Sequence, residues 1–397
     1  MNPRKIFSPA FTNLSVMLLL AVGSDSSVGS VVSANKEKER ILIGHTVDVK
    51  CAAFSPDGKM LASAGYSSED GTRWAGEIKL WDVATGRERA TLKGQLGAAF
   101  VAFSSDGKTL ASGGYYEAPD ERDGARVINE LKLWDVTTGQ ERVMFEGRLK
   151  DQLYGAFAFS LDSGLLAMGS AAGVRIWNVT QQAELPPLIT ASPKVLTFSP
   201  DSKVLAVASS TDSSDQFDRA LTTWEVKLID VASRKKLSSF KDSGDDAYIN
   251  SVSFSADRKV LAAGTADGLI RLWDLATKKE RTIRDESSYS IGRVNSIALS
   301  PDHKLLASGN GNGIITLWDV ETGRQRASIE HKGEWINCVT FSTDGKTLVS
   351  ASSARTVRLI DVTSVLNTAP AQKSKLLLSY VSIWRDFAAV KDAHHSF

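Results

Sequence analysis

The sequence has few cysteines, almost no net charge and no long apolar run, and each shortage narrows the class of protein. Two cysteines in 397 residues are too few for a disulfide framework, and neither has a second thiol at CxxC spacing. The 47 basic and 46 acidic side chains leave a formal charge of +1, which gives no overall attraction to nucleic acid or to an anionic membrane. The apolar stretch at residues 14–22 is far shorter than the roughly 20 residues that cross a bilayer. We therefore expect no nucleic-acid partner and no stable membrane span.

Motifs of catalytic chemistry are also missing. The five histidines form no HExxH or other metal-binding pair, and the chain has no GxSxG motif and no phosphate-binding glycine loop. The acidic residues of segment 115–129 lack the spacing of a known Ca²⁺ loop, so a solvated acidic loop is favoured there and a metal site is the alternative. We expect a protein that is not an enzyme and has no catalytic residue, cofactor or metal.

The first 34 residues differ from the rest of the chain. Arg4 and Lys5 precede the apolar residues 14–22, and a Gly/Ser-rich segment follows that ends at Ala34. This order is typical of a secretory signal peptide. The sequence therefore predicts a signal peptide at residues 1–34, cleavage near Ala34, and an exported protein, periplasmic or secreted. The alternative is an apolar disordered tail on a cytoplasmic protein.

One phrase recurs seven times. In its first copy, Phe-Ser-Pro-Asp-Gly-Lys at residues 54–59 is followed by Leu-Ala-Ser at 61–63 and Ile-Lys-Leu-Trp-Asp at 78–82. The turn aspartates of the seven copies lie 39 to 56 residues apart, at Asp57, Asp106, Asp162, Asp201, Asp257, Asp302 and Asp344. Short alternating runs between Asp-Gly and Thr-Gly turns predict β-hairpins, because those residues accept the dihedral angles of tight turns.

The copies end in Trp-Asp or a related pair, at residues 81–82, 134–135, 177–178, 229–230, 273–274, 318–319 and 360–361. With these endings and this period, the chain resembles the WD-repeat β-propeller family over residues 39–362. The resemblance implies an all-β fold: a seven-bladed β-propeller of four-stranded antiparallel blades around a central channel. The family's Gly-His pair is present only as Gly44-His45, with His331 a partial echo, and its turn aspartate only as Asp267. The family's buried His–Ser–Asp–Trp hydrogen-bond network is therefore expected to be incomplete in every blade.

The two ends of the repeat region predict how the ring closes. Residues 39–45 have the pattern of a fourth strand and precede the first repeat, whereas the seventh repeat lacks a fourth strand of its own. Pairing the N-terminal strand with the last blade would satisfy an open sheet edge, although residues 376–378 could compete for that place. In the tail, 365–397, apolar residues recur at three- and four-residue steps between 373 and 390, which predicts one short amphipathic helix.

Three repeats carry insertions between their second and third strands, at residues 66–75, 115–129 and 211–223. In a propeller this connection opens on the same face as the links between blades, so the insertions of blades 1, 2 and 4 should share one face. Their formal charges are −1, −2 and −2, in contrast to the nearly neutral chain. This charge favours a basic or cationic protein or peptide as the partner.

Aromatic and charged side chains on that face are the candidate partner-binding residues, because Trp, Tyr and Arg dominate interface hot spots. They are Tyr66, Arg73, Trp74, Tyr115, Tyr116, Asp120, Arg126, Phe217, Arg219, Trp224 and Trp335. The alternative for any one aromatic is that it packs a long loop onto the propeller.

Two functions follow from these features. We favour a non-enzymatic protein–protein interaction scaffold that binds its partner through the inserted loops. The alternative is a propeller enzyme, or a small-ligand or metal binder, that uses acidic loop residues at the channel mouth.

Cys51 and Cys338 occupy the same repeat position on blades 1 and 7, and closure of the ring makes these blades neighbours. We interpret both cysteines as free, packed thiols, with a disulfide as the alternative.

Overall fold

The repeated turn phrase builds the first hairpin of every blade from its own side chains. In the first copy, Ser55 Oγ donates to Asp57 Oδ1 at 2.6 Å and accepts from the Met60 amide at 2.9 Å. The Ser-to-Asp bond recurs in all seven copies, at Ser55, Ser104, Ser160, Ser199, Ser255, Ser300 and Ser342. Each of these serines is buried, so the turn satisfies its own polar groups and reverses the chain at a fixed residue.

The computed structural model of the chain describes residues 32–33, 39–68, 74–93, 97, 100–120, 124–143, 153–160, 162, 164–170, 172–179, 181, 183–188, 193–214, 220–244, 248–284 and 292–368. For residues 32–33, 68, 74, 115–120, 124–130, 143, 153–155, 213–214, 220–221 and 244 it describes the backbone only. The strands form seven antiparallel blades of four strands each, which confirms the fold class predicted from the sequence.

The strands are numbered in chain order, and the blades in the order of the repeats. Two short strands, β1 (Val32–Ser33) and β2 (Glu39–Leu42), precede the first repeat. Blade 1 contains β3 (Val49–Phe54), β4 (Met60–Ser68), β5 (Trp74–Asp82) and β6 (Glu88–Leu92). Blade 2 contains β7 (Phe100–Phe103), β8 (Thr109–Asp120), β9 (Gly124–Asp135) and β10 (Glu141–Val143). Blade 3 contains β11 (Leu153–Phe159), β12 (Leu165–Ser170), β13 (Gly173–Asn178) and β14 (Ala183–Leu188).

The remaining blades follow the same order. Blade 4 contains β15 (Pro193–Phe198), β16 (Val204–Ser214), β17 (Ala220–Asp230) and β18 (Lys236–Gly244). Blade 5 contains β19 (Ile249–Phe254), β20 (Val260–Thr265), β21 (Leu269–Asp274) and β22 (Glu280–Arg284). Blade 6 contains β23 (Val294–Leu299), β24 (Leu305–Asn310), β25 (Ile314–Asp319) and β26 (Gln325–Glu330). Blade 7 contains β27 (Ile336–Phe341), β28 (Thr347–Ser352) and β29 (Val357–Asp361), with β2 as its fourth strand.

The first strands of the blades form the inner ring, and each touches the first strand of the next blade. Asparagine side chains connect several of them: Asn250 Nδ2 donates to Val294 O at 2.9 Å, and Asn295 Nδ2 donates to Ile336 O at 3.0 Å. The equivalent bond from Asn337 Nδ2 to Val49 O, at 2.8 Å, runs from the last blade to the first. The inner ring is therefore continuous across the junction of the two ends of the repeat region.

The N-terminal strand closes the ring, as predicted. Strand β2 pairs antiparallel with β29, with Glu39 opposite Ile360 and Leu42 opposite Val357. Leu42 is only 1% exposed and packs in the apolar cluster between blades 7 and 1. The competing segment, 376–378, lies outside the described residues.

The apolar core lies mainly between neighbouring blades rather than at one centre. Seven clusters of buried side chains occupy the blade contacts. Trp81, Trp134, Trp273 and Trp318 are at most 3% exposed and pack in these clusters. Because each blade buries its faces only against its neighbours, the stability of any one blade depends on the complete ring.

The connections between strands lie on two faces of the disc. The turns from the first to the second strand and from the third to the fourth lie on one face, which we call the lower face. The turns from the second to the third strand and the links between blades lie on the opposite, upper face.

Five lower-face turn residues other than glycine have left-handed backbone conformations. They are Ser202, Arg234, Arg258, Lys278 and His303, with φ between 58° and 61°. Other blades have glycine at these positions, such as Gly58 and Gly86. A side chain in this conformation costs about 1–2 kcal/mol.

Contacts with the preceding blade offset this cost at three of the five positions. Ser202 Oγ accepts from the Asp162 amide at 3.2 Å, and Arg234 Nη1 donates to Pro186 O at 2.9 Å. The Arg258 guanidinium forms an ion pair with Asp201. These side chains therefore connect blades 3, 4 and 5 where a glycine would make no bond.

A short C-terminal helix, α1 (Val362–Thr368), follows β29. Asp361 Oδ1 accepts from the Ser364 amide at 2.9 Å and caps the helix, and Val365 is 2% exposed against the blade core. A C-terminal helix is thus present, but it begins earlier than the predicted segment, 373–390, which lies outside the described residues.

Both cysteines are free, as interpreted from the sequence. Cys338 Sγ lies 3.8 Å from Ala52 O, and Cys51 Sγ lies 3.8 Å from Val101 O, so each thiol faces the first strand of the next blade. The hydrogen bond to Cys338 and burial raise the pKa of Cys51 well above its ordinary value. Cys51 is therefore an uncharged packing residue at neutral pH.

The closing strand provides a test of the ring with a matched control. Leu42→Ala removes a fully buried side chain from the junction of blades 7 and 1, and we expect the free energy of unfolding to fall by about 2–5 kcal/mol. Ile43→Ala, one residue further and 83% exposed, should change it by less than about 0.5 kcal/mol. Urea denaturation of the two variants measures both values, and equal effects would contradict closure by this strand.

Candidate protein-interaction surface

The upper face repeats one backbone arrangement around the channel mouth. In this arrangement, the carbonyl of the residue just before the first strand of a blade accepts a hydrogen bond from a backbone amide at the end of the second strand. That amide belongs either to the residue after the second strand or to one near its end. In blade 1 the Tyr66 amide donates to Asp48 O at 3.2 Å, and in blade 7 the Ser353 amide donates to Trp335 O at 3.0 Å. Among the described residues, Asp48, Tyr248, Arg293 and Trp335 occupy this position. Their shared bond pattern places them at the same level of the mouth.

The three insertions are extensions of hairpins at this face. Strands β4 and β5 have 9 residues each, β8 and β9 have 12, and β16 and β17 have 11, whereas the same strands of blade 5 have 6. Pairing continues to Ser68 opposite Trp74 in blade 1 and to Asp120 opposite Gly124 in blade 2. The insertions therefore begin at the upper end of blades 1, 2 and 4.

The predicted partner-binding residues fall into three groups. Trp335, Tyr66 and Trp224 have described side chains. For Trp74, Tyr115, Tyr116, Asp120 and Arg126 the structure describes the backbone, which lies in the extended hairpins. Arg73, Phe217 and Arg219 lie outside the described residues.

Trp335 is the most exposed of the described tryptophans, with 64% of its surface accessible. Its amide donates to Ser353 Oγ at 2.9 Å and its carbonyl accepts from the Ser353 amide at 3.0 Å, so the upper turn of blade 7 holds its backbone from both sides. The upper turn of blade 6 packs closely below, because the His331 amide donates to Gly313 O at 2.7 Å. A side chain on Gly313 would place a Cβ 2.1 Å from His331 O. The indole therefore projects from a backbone that has little freedom to move.

A buried charge network supports the loop that carries Trp335. Arg358 Nη2 donates to Glu334 Oε1 at 2.6 Å, and these bonds lower the pKa of Glu334 although burial acts in the opposite direction. On the other side, the Arg358 guanidinium lies 3.8 Å from the Glu39 carboxylate, which also bonds His331 Nε2 at 3.1 Å. Glu39 belongs to the closing strand β2. The closing strand therefore contributes directly to the support of the exposed tryptophan.

Exposed cationic side chains lie on the same face as Trp335. Arg293, Lys332 and Arg355 are all exposed on the upper face of blades 6 and 7. Arg355 has a φ of 62°, the conformation that Gly268 and Gly313 adopt in the upper turns of blades 5 and 6. This part of the face is therefore basic, whereas the inserted segments are acidic.

Two aromatic residues of the mouth are bound to their neighbours. Lys50 Nζ lies 5.5 Å from the centre of the Tyr66 ring, and the lysine also contacts Asp48 at 3.4 Å. The Tyr248 hydroxyl donates to Asp212 Oδ1 at 2.7 Å and so ties the link before blade 5 to the extended hairpin of blade 4. Sequence reasoning missed Tyr248 and Arg293. An alignment of the repeats on the residue before the first strand would have found them beside Trp335.

Trp224 is a core residue, and its prediction as a partner-binding residue is wrong. Its side chain is 0% exposed and its ring centre lies 5.8 Å from that of Trp273. The Arg271 guanidinium lies 4.9 Å from the Trp224 ring and also bonds Glu280 at 2.8 Å. Trp224 alternates in phase with buried residues of β17, which fixes it on the inner side of the strand.

The prediction that the His–Ser–Asp–Trp hydrogen-bond network is incomplete in every blade is wrong for blade 1. His45 Nδ1 donates to Glu77 Oε2 at 3.0 Å, and its Nε2 accepts from Ser63 Oγ at 2.6 Å. Ser63 Oγ in turn accepts from Trp81 Nε1 at 2.7 Å. Burial lowers the pKa of His45, which keeps the imidazole neutral as these bonds require. Glu77, on β5, takes the place of the aspartate in the family's hydrogen-bond network.

Among the described residues, no group of three or more His, Cys, Asp or Glu side chains lies close enough to hold a metal ion. Within the same residues, no helix has the length and apolar character that crossing a bilayer requires.

Seven four-stranded antiparallel blades around a channel, closed by a strand from the opposite end of the chain, define a β-propeller. The family model of the WD domain, G-beta repeat, matches residues 36–82, and that of the nucleolar protein 10-like N-terminal domain matches residues 180–370. The chain is a WD-repeat β-propeller.

Curated relatives resemble the chain at low identity. Protein tipD of Dictyostelium discoideum is 22% identical over 314 residues, which are 68% of this chain and 46% of tipD. Small ribosomal subunit protein RACK1y of Oryza sativa subsp. japonica is 26% identical over 280 residues, 60% of this chain and 77% of that protein. Pre-mRNA-processing factor 19 homolog 2 of Arabidopsis thaliana is 22% identical over 162 residues, 40% of this chain and 28% of that protein. The chain thus spans less than half of tipD.

The predicted export is contradicted by these similarities. The names of the relatives refer to the ribosome and to pre-mRNA processing, and that of the matched family to the nucleolus, all inside the cell. Val32–Ser33, within the predicted signal segment, pairs in parallel with β26 of blade 6. Residues 1–31 lie outside the described residues.

The polar network of blade 1 gives a test with an internal control. Ser63→Ala leaves two buried groups without a partner, on His45 and Trp81, whereas Ser308→Ala in blade 6 leaves only Trp318 Nε1. Each buried polar group left without a hydrogen-bond partner costs about 1–3 kcal/mol. Ser63→Ala should therefore lower the free energy of unfolding roughly twice as much as Ser308→Ala. Chemical denaturation of the two proteins measures the ratio. A loss for Ser63→Ala no greater than that for Ser308→Ala would show that His45 is not part of the network.

Proposed function

We propose that the protein is a non-enzymatic scaffold that binds a protein partner through its upper face, with Trp335 as the central contact. The observation that carries this proposal is the 64% exposure of an indole on a backbone fixed by the upper turns of two blades. WD-repeat relatives act as scaffolds for protein interactions.

The rigidity of the Trp335 loop favours binding. A partner that covers the indole gains apolar burial and loses little conformational freedom, because the loop is already ordered by Ser353, Gly313 and the Arg358 network. Tryptophan is also the residue type most enriched among interface hot spots.

The charges of the upper face indicate a partner of mixed character. Arg293, Lys332 and Arg355 are exposed on the upper face of blades 6 and 7, as Trp335 is, while the inserted segments of blades 1, 2 and 4 carry net negative charge. A partner segment with acidic residues next to an apolar anchor would fit the Trp335 region, and basic residues further along would face the insertions. This refines the basic partner expected from the insertions alone.

The names of the relatives support a role in an assembly. One relative is a ribosomal subunit protein and another is a pre-mRNA-processing factor. We infer that this chain likewise works as one component of a larger complex inside the cell.

The proposal predicts that Trp335→Ala reduces capture of the partner by at least about tenfold, the scale of a hot-spot residue. The matched control is Leu237→Ala, because Leu237 is 55% exposed on the outer strand of blade 4, away from the mouth. Affinity capture from the producing cells, with quantitative mass spectrometry, compares both variants with the unmodified protein. Proteins lost with Trp335→Ala and retained with Leu237→Ala are the upper-face partners.

A second variant separates the mouth from the insertions. Replacing residues 115–129 by a two-residue Asn-Gly turn joins Gly114 to Glu130, which already face each other in the hairpin. Partial loss of the same proteins would assign the blade 2 hairpin to the interface. Unchanged capture with both Trp335→Ala and the shortened hairpin would contradict the proposed upper-face interface.

A further inference from the structure

The lower-face turns of two blades differ in charge from those of the others. The two lower turns of blade 4 contain Lys203, Arg234 and Lys235 against Asp201 and Asp230. Those of blade 5 contain Arg258, Lys259, Lys278 and Lys279 against Asp257 and Asp274. The net charge of these four turns is therefore +3, from seven basic and four acidic side chains. In each of the other five blades the lower turns have a net charge of 0 or −1.

The carboxylates of these turns accept hydrogen bonds from groups of the same turn. Asp230 Oδ1 accepts from the Ser233 amide at 2.7 Å, and Asp274 Oδ1 accepts from the Thr277 amide at 2.7 Å. Asp257 Oδ1 accepts from Ser255 Oγ at 2.6 Å. Lys259 Nζ lies 3.6 Å from Asp257 Oδ2, yet its side chain is 77% exposed. The other lysines of these turns are exposed as well: Lys203, Lys235, Lys278 and Lys279. The surface that a partner meets is therefore dominated by ammonium groups.

Lys278 gives an independent indication that these charges serve a contact outside the chain. It has a φ of 58° at a position where blades 1, 2 and 6 have Gly86, Gly139 and Gly323. Arg234 and Arg258 share this unfavourable conformation, but each bonds the preceding blade. The Lys278 amide donates to Asp274 O at 2.8 Å within its own turn, but its side chain has no hydrogen bond or ion pair with any residue that the structure describes. The Lys278 ammonium is therefore exposed and available to a partner outside the chain.

We propose that the lower face of blades 4 and 5 binds the phosphate backbone of a double-stranded nucleic acid, independently of base sequence. Lysines at the turns of two neighbouring blades supply separate point charges that match phosphates, and no exposed aromatic side chain is described among these turns for stacking on unpaired bases. Leu237 is the one large apolar residue exposed beside them among the described residues, which is little for an apolar protein interface.

The formal charge of the whole chain does not reveal the basic lower face of blades 4 and 5. A formal charge of +1 led to the expectation of no nucleic-acid partner, but that value averages acidic insertions on the upper face with basic turns on the lower face. Electrostatic attraction acts over about 10 Å at ordinary ionic strength, so the local charge of one face decides the contact. This site is distinct from the Trp335 surface and does not depend on it.

The test compares two fourfold charge reversals in the full chain. The first changes Lys203, Lys235, Lys278 and Lys279 to Glu. The matched control changes the exposed lysines of the lower turns of blades 1, 2, 6 and 7 to Glu: Lys59, Lys108, Lys304 and Lys346. The probe is a fluorescein-labelled RNA duplex of about 20 base pairs, with a DNA duplex of the same length beside it, titrated by fluorescence anisotropy. Thermal denaturation and the capture assay with Trp335 intact show that both variants are folded.

We expect micromolar binding by the unmodified protein at low salt, weakened with a slope of about −3 to −4 in log K against log salt if about four phosphates are contacted. The first variant should bind at least about tenfold more weakly with a smaller slope, and the control less than about threefold more weakly. Three results would overturn the proposal: no binding to either duplex at 50 mM salt, an equal loss in both variants, or tighter binding of a polyglutamate peptide than of the duplexes. The last result would assign the surface to an acidic protein segment.

Discussion

The pairing of β2 with β29 is the interaction on which the rest of the structure depends. It supplies the fourth strand of blade 7, and it joins the two ends of a chain whose blades are stabilised only by their neighbours. It also brings Glu39 under the upper face, where its carboxylate bonds His331 and approaches Arg358. Arg358 holds Glu334, the residue before the exposed Trp335. Closure of the ring and presentation of the candidate contact are therefore parts of one network.

The two faces of the disc differ in chemistry, because the lower turns make bonds within the ring whereas the upper turns vary in length. On the lower face the Ser-x-Asp turns bind their own polar groups, and side chains such as Arg258 replace glycine to reach the preceding blade. On the upper face the turns vary in length, and blades 1, 2 and 4 extend them into long hairpins. The repeated turns thus keep the ring regular, while the variable ones can present residues such as Trp335 to a partner.

Much of the fold could be predicted from the sequence, because its signals are local. The turns at the repeated aspartates, the alternating strands and the N-terminal closing strand each follow from short patterns. The turns and the strands of the blades lie where predicted, and the closing strand spans Glu39–Leu42 of the predicted residues 39–45. The side chains that were assigned wrongly depend on contacts between strands. Glu77 completes the network of His45 from strand β5, a position that a search for a turn aspartate does not include. Trp224 lies in phase with buried neighbours of β17, and counting only the Trp-Asp endings overlooked that alternation. The formal charge of the whole chain, in the same way, does not separate the charges of two faces that only the fold defines.

The most direct measurement of the central claim is amide hydrogen exchange of residues 39–42, followed by mass spectrometry on the intact protein. If β2 is an integral strand of blade 7, these amides should be protected to the same degree as those of β28 and β29, and should lose protection together with them as denaturant is added. Exchange of residues 39–42 at the rate of an unstructured peptide, while β28 and β29 stay protected, would contradict the account, because the ring would then be closed without them.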